Sequence, residues 1–143
     1  MNTYHYDEIA IGHTESFEAL VKAEDMESFK AITGDINPLH NDETFAGDRG
    51  YEGRVVYGML TASYLSTLAG VYLPGERSLI RSVSTKFYKA VFIGDRLTIE
   101  GKVSDKNDTF KLLTVKINIK NQKGEKVLKG EMEIQVLEVE ENE

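Results

Sequence analysis

The chain has 143 residues, of which 41% are hydrophobic and 29% charged, and this is the size and composition of an ordinary folded domain. It has no cysteine, so disulfide bonds, thiolate metal sites and cysteine nucleophiles are excluded. The net charge is −7 and the basic residues are interleaved with acids, so we expect neither a nucleic-acid partner nor a membrane partner.

The two ends of the chain carry little information about structure. The segment MNTYHYDEIA has neither the basic region nor the apolar stretch of a secretory signal, and we expect a cytoplasmic protein. No repeat or linker divides the sequence, which predicts a single domain over residues 1–143. The closing residues 139–143 are acidic and are expected to form a solvated tail.

A strand and a helix are predicted first along the chain. Polar and apolar residues alternate over residues 16–22, which places the apolar set on one face of a strand: Phe17, Ala19 and Val21. In the following segment AEDMESFKAITG, acids crowd the first turn and Gly34 can end a helix in the left-handed conformation. The apolar residues that recur there at helical spacing are Met26, Phe29 and Ile32.

The stretch from residue 55 to residue 75 has no charged side chain, which is one feature of a transmembrane span. However, it is rich in serine, threonine and glycine, and a Pro-Gly pair ends it. A helix that is apolar nearly all round and rich in small residues is typical of a buried helix that approaches a sheet closely. We therefore predict a long central helix in this stretch.

The rest of the chain predicts four strands, at residues 81–92, 97–104, 110–121 and 125–138. Alternation is clearest in LTVKINIK, where one side chain in two is apolar and one face of the strand is expected to be buried. The breaks at IGD, SDKNDT and NQKG fit hairpin turns. The order of elements is therefore that of an α+β fold in which an antiparallel meander wraps one helix.

Acid–base chemistry is indicated at one of the three histidines. His5 and His13 have no acidic or histidine partner at ligand spacing and are expected to be solvated. His40 instead follows Asp35 by five residues, after a helix-ending glycine and across Pro38, which fixes its own backbone angle. Such a stiff loop can hold a carboxylate and an imidazole at a fixed separation with one water between them.

A purely structural interpretation of the same loop remains open. Aspartate and asparagine beside glycine and proline are common turn formers, and Asn41 or Asp42 could simply cap the short helix DETFA. One histidine with scattered acids lacks the convergent spacing of a zinc or iron site. We therefore predict no metal and no cofactor.

The segment FKAITGDINPLHNDETFA resembles the hydratase motif of MaoC-like (R)-specific enoyl-CoA hydratases, in which an aromatic residue, GDxNPxH and a downstream small residue recur. Further along, VVYGMLTASYLS is similar to the start of the central helix of that family. LPGERSLIRSVSTKFYKAVFIGD is similar to its next strand and turn. The resemblance covers about residues 15–138, which we take as the core of the domain.

The resemblance implies a hot-dog fold, with the apolar helix inside the sheet and with two subunits pairing to form acyl-thioester sites, in a homodimer or a higher oligomer. It implies that Asp35 and His40 are the catalytic pair and share the water that adds to a trans-2-enoyl thioester. It further implies that the Gly58 N–H binds the thioester carbonyl and that the Ser66 hydroxyl supports the site. On their own residues, Gly58 could equally serve close packing and Ser66 could be a core hydroxyl bonded to the helix backbone.

Two other residues of these segments are expected to contact substrate, Asn37 and Tyr57. Tyr57 stands where histidine often precedes Gly-Met in the family, and Ala90 stands where proline is common. Neither departure removes a motif acid or base, and Tyr57 is expected to alter the pocket shape or a hydrogen bond behind the site, and with it acyl specificity. Three cations are candidates for contacts with CoA phosphates, although solvated strand positions explain them as well: Arg81, Lys86 and Lys89.

The function that the resemblance implies is hydration of trans-2-enoyl-CoA to (R)-3-hydroxyacyl-CoA, or the reverse dehydration. Three alternatives share the fold. The chain could act on acyl-carrier-protein thioesters, bind acyl thioesters without turnover, or hydrolyse them as a thioesterase.

Overall fold

The computed structural model describes residues 1–139, so the predicted acidic tail lies outside the described residues except for Val139. A five-stranded sheet, four α-helices, a 3₁₀ turn and a π-helical turn make up the fold. In chain order these elements are the 3₁₀ turn Tyr6–Glu8, β1 Thr14–Leu20, α1 Ala23–Thr33, α2 Pro38–Asn41, α3 Glu43–Asp48, α4 Gly58–Thr67, the π-helical turn Leu68–Tyr72, β2 Ser78–Phe87, β3 Arg96–Asn107, β4 Leu112–Lys120 and β5 Lys126–Val136.

The sheet is antiparallel throughout, with strand order β1-β3-β4-β5-β2. The predicted strands and the α+β class are confirmed, with boundaries shifted by a few residues. In β4 every second residue is buried, as the alternation in LTVKINIK predicts, and the same holds in β3 from Leu97 to Val103. The buried side chains of both strands face α4 and the π-helical turn, and together they form the core.

The predicted meander is correct only for β3, β4 and β5. Two hairpins join these strands, one closing at the pair Asn107 and Leu112 and one at Gly124, which has a φ of 75°. The turn at Ile93-Gly94-Asp95 does not form a hairpin, because β2 pairs with β5 at one edge while β3 lies at the other side of the sheet. The connection after β2 instead pairs with the segment before α4, where the Val56 N–H donates to the Val91 carbonyl at 2.8 Å.

Helix α1 ends at Gly34 as predicted. The glycine is left-handed, with a φ of 74°, and its N–H donates to the Lys30 carbonyl at 2.8 Å. Met26 is buried, but Ile32 is 83% exposed, so its assignment to the same face is wrong. The reason is geometric: two steps of three residues turn the helix away from its starting face by about 120°.

The central helix is shorter than predicted. Helix α4 has ten residues and then continues as the π-helical turn, so the apolar stretch before Gly58 is extended chain. Leu68 packs so closely on β3 that a Cβ added to Gly101 would lie 2.7 Å from its Cδ2 atom. The small residue at this close contact is Gly101 on the strand, whereas the sequence predicts small residues of the helix in that role. Among residues 1–139, no helix combines the length and apolar character needed to cross a membrane.

Candidate active site

A cavity of about 840 Å³ lies between the loop after α1, helix α4 and strand β2. Asp35 and His40 both face it, so the structure brings the two residues of the predicted catalytic pair to one place. The other lining side chains are mostly apolar. On its open side, Met59, Val83 and Phe87 are each at least half exposed, at 66%, 51% and 50%.

The loop that carries Asp35 is held by local hydrogen bonds. The Asp35 N–H donates to Thr33 Oγ1 at 3.2 Å, and Asp35 Oδ1 accepts from the Asn37 N–H at 3.0 Å. This second bond is an Asx turn, in which the side chain fixes its own backbone two residues on. Because one carboxylate oxygen is used in this way, the other remains for the cavity.

Asn37 and Asp42 begin the two short helices that follow the loop. Asn37 Oδ1 accepts from the Leu39 N–H at 3.0 Å and caps α2, with Pro38 at the first helical position. Asp42 Oδ1 accepts from the Phe45 N–H at 3.1 Å and caps α3. The Asn37 side chain is exposed and does not line the cavity, and its contact with substrate stays a prediction. The capping role considered for Asp42 is confirmed, and it coexists with a cavity-facing loop.

His40 has a defined ring orientation. Its Nδ1 atom lies 2.7 Å from the Val55 carbonyl oxygen. A carbonyl can only accept, so Nδ1 carries the hydrogen and Nε2 of the neutral ring has a free lone pair. This is the tautomer that a general base requires, because a second ring atom orients the ring while Nε2 takes a proton.

The backbone of His40 is anchored by Arg54. The Arg54 Nε–H donates to the His40 carbonyl at 2.8 Å, and Arg54 Nη2 lies 3.3 Å from Glu27 Oε1 on α1. Hydrogen bonding to Lys30, with a further contribution from Arg54, lowers the pKa of Glu27. No local pattern in the sequence indicates Arg54, because its partners lie 14 and 27 residues away along the chain.

Tyr57 lies beneath both predicted catalytic residues. Its hydroxyl donates to the Asp35 carbonyl at 2.6 Å and accepts from Asn41 Nδ2 at 3.0 Å. Its ring stacks on the His40 ring, with centroids 4.3 Å apart and planes 29° apart, and it contacts the Phe29 ring with centroids 4.6 Å apart. Tyr57 is only 2% exposed, so the cavity reaches little of its surface.

Gly58 is the first residue of α4 and lines the cavity. The N–H groups of the first helical turn have no acceptor within their own helix and are available to an outside acceptor. A Cβ added to Gly58 would lie 3.2 Å from Phe87 Cε1, so the close-packing interpretation also holds. The two interpretations are compatible, because a missing side chain is what opens the helix end to the cavity.

Ser66 is exposed and lines the cavity about two turns after Gly58 on α4. Within the described chain its hydroxyl has no protein hydrogen-bond partner, so the interpretation as a core hydroxyl bonded to the helix backbone is wrong. Ser63 makes that bond instead, donating to the Leu60 carbonyl at 2.6 Å. The Ser66 hydroxyl is therefore free for a ligand.

The remaining histidines lie away from the cavity, and each has an acidic partner although the sequence shows none at ligand spacing. The expectation that both are solvated holds for His5, whose side chain is 53% exposed, but not for His13, at 18%. His5 Nδ1 lies 2.9 Å from Glu138 Oε2, and His13 Nε2 lies 2.8 Å from Glu15 Oε2. The residues of the first pair are 133 positions apart in sequence, so no local pattern indicates them. Those of the second pair are two positions apart, a spacing that brings side chains to one face in a strand but not in a helix. Over residues 1–139, no group of three or more residues is arranged to hold a metal ion.

The three predicted phosphate contacts do not line the cavity. Arg81 donates from Nε to Gln135 Oε1 at 2.9 Å, and Lys89 Nζ lies 3.7 Å from Glu125 Oε2. Lys86 lines a shallow depression on strands β2 and β5. Contact of these cations with CoA stays a prediction.

A family model and several known proteins are similar to this chain. The family model described as the MaoC-like domain matches residues 8–124. An (R)-specific enoyl-CoA hydratase of Aeromonas caviae is 37% identical over 109 residues, which are 76% of this chain and 81% of that protein. A 3-hydroxybutyryl-CoA dehydratase of Methylorubrum extorquens is 30% identical over 105 residues, which are 73% of this chain and 67% of that protein.

Solved structures confirm the hot-dog fold. The structure of an (R)-hydratase from Aeromonas caviae, described as involved in PHA biosynthesis, is 32% identical with a TM-score of 0.86, over 90% of this chain and 98% of the other. An R-hydratase from Pseudomonas aeruginosa in its unliganded form is 27% identical, also with a TM-score of 0.86, over 96% of this chain and 92% of the other.

Proposed function

The chain belongs to the MaoC-like dehydratase family, and we propose that it hydrates trans-2-enoyl-CoA to (R)-3-hydroxyacyl-CoA and catalyses the reverse dehydration. The observation that carries the proposal is the placement of Asp35 and His40 on one wall of an apolar cavity, beside the start of α4 at Gly58. An acid, a base and a backbone donor facing one apolar space are the groups that hydration of an unsaturated thioester needs.

In the proposed mechanism one water lies between Asp35 and His40. His40 Nε2 takes a proton from this water as its oxygen bonds to C3 of the enoyl group. Negative charge then builds on the thioester oxygen, where the Gly58 N–H at the positive end of the helix stabilises it. The Asp35 carboxyl gives a proton to C2, and the proton held by His40 restores that carboxyl. Each turnover therefore consumes one water and leaves the thioester intact.

The division of labour between the two residues is part of the proposal. The orientation of His40 supports its role as the base, because the hydrogen bond from Nδ1 to the Val55 carbonyl leaves Nε2 as the proton acceptor. Ser66, whose hydroxyl is free, is proposed to hydrogen-bond the substrate near the thioester. No metal or cofactor has a role in this scheme, and we expect dialysis against a chelator to leave the rate unchanged.

We further propose that the active unit is a homodimer. Strand β2 is an edge strand, and its side chains Val83 and Phe87 are half exposed although they line the cavity. An apolar wall left open to water at a sheet edge is typical of a surface that a second copy covers. Light scattering coupled to gel filtration tests this, and a monomer that is fully active across a dilution series contradicts it.

The experiment that tests the function uses crotonyl-CoA. The wild-type protein is expected to bleach the absorbance of the conjugated thioester and to yield (R)-3-hydroxybutyryl-CoA, identified by chiral chromatography after hydrolysis. Asp35→Asn is the matched variant, because its amide oxygen can still accept from the Asn37 N–H and keep the loop in place. Its rate is expected to fall by about 10² to 10⁴-fold with unchanged circular dichroism.

Each alternative function gives a different result when the protein is mixed with enoyl thioesters. Binding of several enoyl-CoA chain lengths without turnover contradicts the enzyme and favours a thioester-binding protein. Release of free thiol, measured by titration, indicates a thioesterase, since hydration releases none. Crotonyl-acyl-carrier protein as a second substrate distinguishes the two carriers, and a much higher kcat/KM on it would replace CoA in the proposal.

A further inference from the structure

The predicted catalytic pair rests on one buried side chain. Tyr57 bonds the backbone of Asp35 through its hydroxyl, stacks its ring on His40, and is followed directly by Gly58. Tyr57 thus contacts Asp35 and His40 and is bonded to Gly58, the three residues that act on the substrate in the proposed mechanism. The sequence separation of 22 residues between Asp35 and Tyr57 makes this contact a tertiary one.

The hydroxyl of Tyr57 belongs to a short chain of directed hydrogen bonds. Asn41 Nδ2 donates to the Tyr57 oxygen, and the Tyr57 hydroxyl donates to the Asp35 carbonyl. Asn41 Nδ2 also donates to the Asn37 carbonyl at 2.9 Å. These hydrogen bonds therefore connect the start of the loop, at Asp35, to helix α2, which carries His40. Successive bonds of this kind polarise one another and resist distortion.

The direction of these bonds is fixed by the acceptors. The carbonyls of Asp35 and Asn37 can only accept, so the Tyr57 hydroxyl and the Asn41 amide nitrogen must donate to them. Asn41 Oδ1 is consequently left buried and without a partner among residues 1–139. An unpaired buried oxygen costs free energy, so Asn41 Oδ1 does not favour this orientation of the amide. The two bonds that Asn41 Nδ2 donates are what orient it.

The Tyr57 ring fixes the second residue of the pair. The His40 imidazole lies between two constraints, the hydrogen bond from Nδ1 to Val55 and the stack on Tyr57 at 4.3 Å. The hydrogen bond sets the direction of the ring in its plane, and the stack sets the tilt of that plane. Together they determine where Nε2 points.

Two other roles for Tyr57 agree less well with the structure. Tyr57 lines the cavity, but at 2% exposure it offers little surface for the substrate contact that the sequence predicts. A purely apolar filler requires no hydroxyl, yet this hydroxyl makes two hydrogen bonds to the segment between Asp35 and Asn41. Phenylalanine would fill the same space, so the polar atom is the informative part of the side chain.

We propose that Tyr57 is a positioning residue for the hydration reaction, which sets the separation of Asp35 and His40 through one hydrogen bond and one ring stack. The proposal rests on the proposed function, because it assigns the two positioned groups their roles in that chemistry. Positioning acts on the chemical step more than on binding, since small displacements of reacting groups cost rate steeply. Tyr57 should therefore affect kcat and leave KM nearly unchanged.

The test compares Tyr57→Phe with wild type in steady-state assays on crotonyl-CoA. This variant keeps the ring stack and removes both hydrogen bonds of the hydroxyl. We expect kcat to fall by about tenfold, in line with a sub-ångström displacement of catalytic groups. We expect KM to stay within about twofold, which is the signature of a loss confined to the transition state.

Tyr64→Phe is the matched control. Tyr64 lies two turns further along α4, is half-buried, and faces a different cavity, where burial raises the pKa of its hydroxyl. Loss of that hydroxyl is expected to leave both kcat and KM unchanged. Thermal unfolding of both variants separates a loss of stability from a loss of positioning.

Three outcomes overturn the proposal. Unchanged kcat in Tyr57→Phe means that the hydroxyl does not position the loop, and a raised KM with unchanged kcat means that it contacts substrate. An equal loss in Tyr64→Phe means that the helix, not the site, is affected. If Tyr57→Phe is less stable, its kcat is measured at a temperature where circular dichroism shows it folded, and an unchanged kcat there overturns the proposal in the same way. A wild-type protein that does not hydrate crotonyl-CoA contradicts the proposed function instead, so the two failures are distinct.

Discussion

The Nδ1 atom of His40 lies 2.7 Å from the carbonyl oxygen of Val55, so the ring is oriented by the residue that precedes Val56 and Tyr57 in the segment leading to α4. The bond has two separable consequences. It holds the short helix α2 to the segment around Val55, and it leaves Nε2 as the only ring atom able to take a proton. Substitutions that keep one consequence and remove the other can therefore distinguish structure from chemistry.

We predict that His40→Asn folds as well as wild type but is inactive. The asparagine amide nitrogen can reach the position of Nδ1 and donate to the Val55 carbonyl, whereas nothing replaces Nε2. His40→Ala removes both groups and should also lower the free energy of unfolding by about 1 kcal/mol. Urea denaturation and the crotonyl-CoA assay measure the two effects. Activity in His40→Asn comparable with wild type would remove His40 from the proposed chemistry.

Close packing of the central helix on the sheet leads to a prediction about stability. A Cβ added to Gly101 would lie 2.7 Å from Leu68 Cδ2 and 3.0 Å from Val115 Cγ1, both within the core. Overpacking of this kind costs about 1–3 kcal/mol, so Gly101→Ala should lower the free energy of unfolding by that amount.

Gly47→Ala is the control for this change. Gly47 lies within α3, and a Cβ added there meets no atom within 4 Å. Replacing a helical glycine by alanine stabilises a helix by up to about 1 kcal/mol, so the control should be neutral or more stable than wild type. Equal losses in the two variants would show that helix–sheet contact at Gly101 is not the cause.

Local signals in the sequence predicted much of the fold and the loop of the site. Gly34 and Asp42 act over a few residues, so the end of α1 and the cap of α3 follow from local chemistry alone. The strands follow from alternation, which needs no knowledge of their neighbours. These features were predicted because their causes are close together in the chain.

The features that sequence reasoning missed depend on register and topology. The position of β2 beside β5 is set by packing across the whole sheet, and a turn at Gly94 cannot reveal it. The contact from Tyr57 to Asp35 likewise requires the segment before α4 to lie beneath the loop. Closeness in sequence indicates neither of these contacts. Helical spacing can also mislead, because Ile32 follows Met26 by two steps of three residues and is exposed.

Tyr6 leads to a prediction about alkaline stability. Burial and the hydrogen bond that its hydroxyl donates to Asp108 Oδ1 at 2.6 Å raise the pKa of Tyr6 from 10.0 to about 12. The folded state therefore favours the neutral phenol. The stabilisation is complete below pH 10, where Tyr6 is neutral in both states, and is lost as the pH rises from 10 to about 12.

We expect the unfolding temperature of Tyr6→Phe to fall less steeply than that of wild type as the pH rises over this interval, because phenylalanine has no proton to lose. Unfolding temperatures measured from pH 8 to above pH 11 check this against wild type. Tyr51→Phe is the control, since Tyr51 is 40% exposed and its removal should leave the pH dependence as it is. A decline in Tyr6→Phe that is as steep as in wild type would place the alkaline sensitivity elsewhere.

Gly58 allows the proposed thioester donor to be removed without breaking the helix. It is the first residue of α4, a position where proline is favoured because its missing N–H has no acceptor within the helix. The preceding Tyr57 has a φ of −52° and a ψ of 126°, which is the extended region that a residue before proline requires. Gly58→Pro should therefore fold while lacking the backbone N–H.

The matched variant is Gly58→Ala, which adds the same Cβ near Phe87 and keeps the N–H. If the N–H stabilises charge on the thioester oxygen, kcat should be lower in Gly58→Pro than in Gly58→Ala by about 10² to 10³-fold, the usual effect of losing one such donor. The comparison of the two variants cancels the crowding of the Phe87 ring, which both share. Equal kcat values in a pair of folded variants would assign Gly58 to packing alone, and the carbonyl would then need another donor at the start of α4.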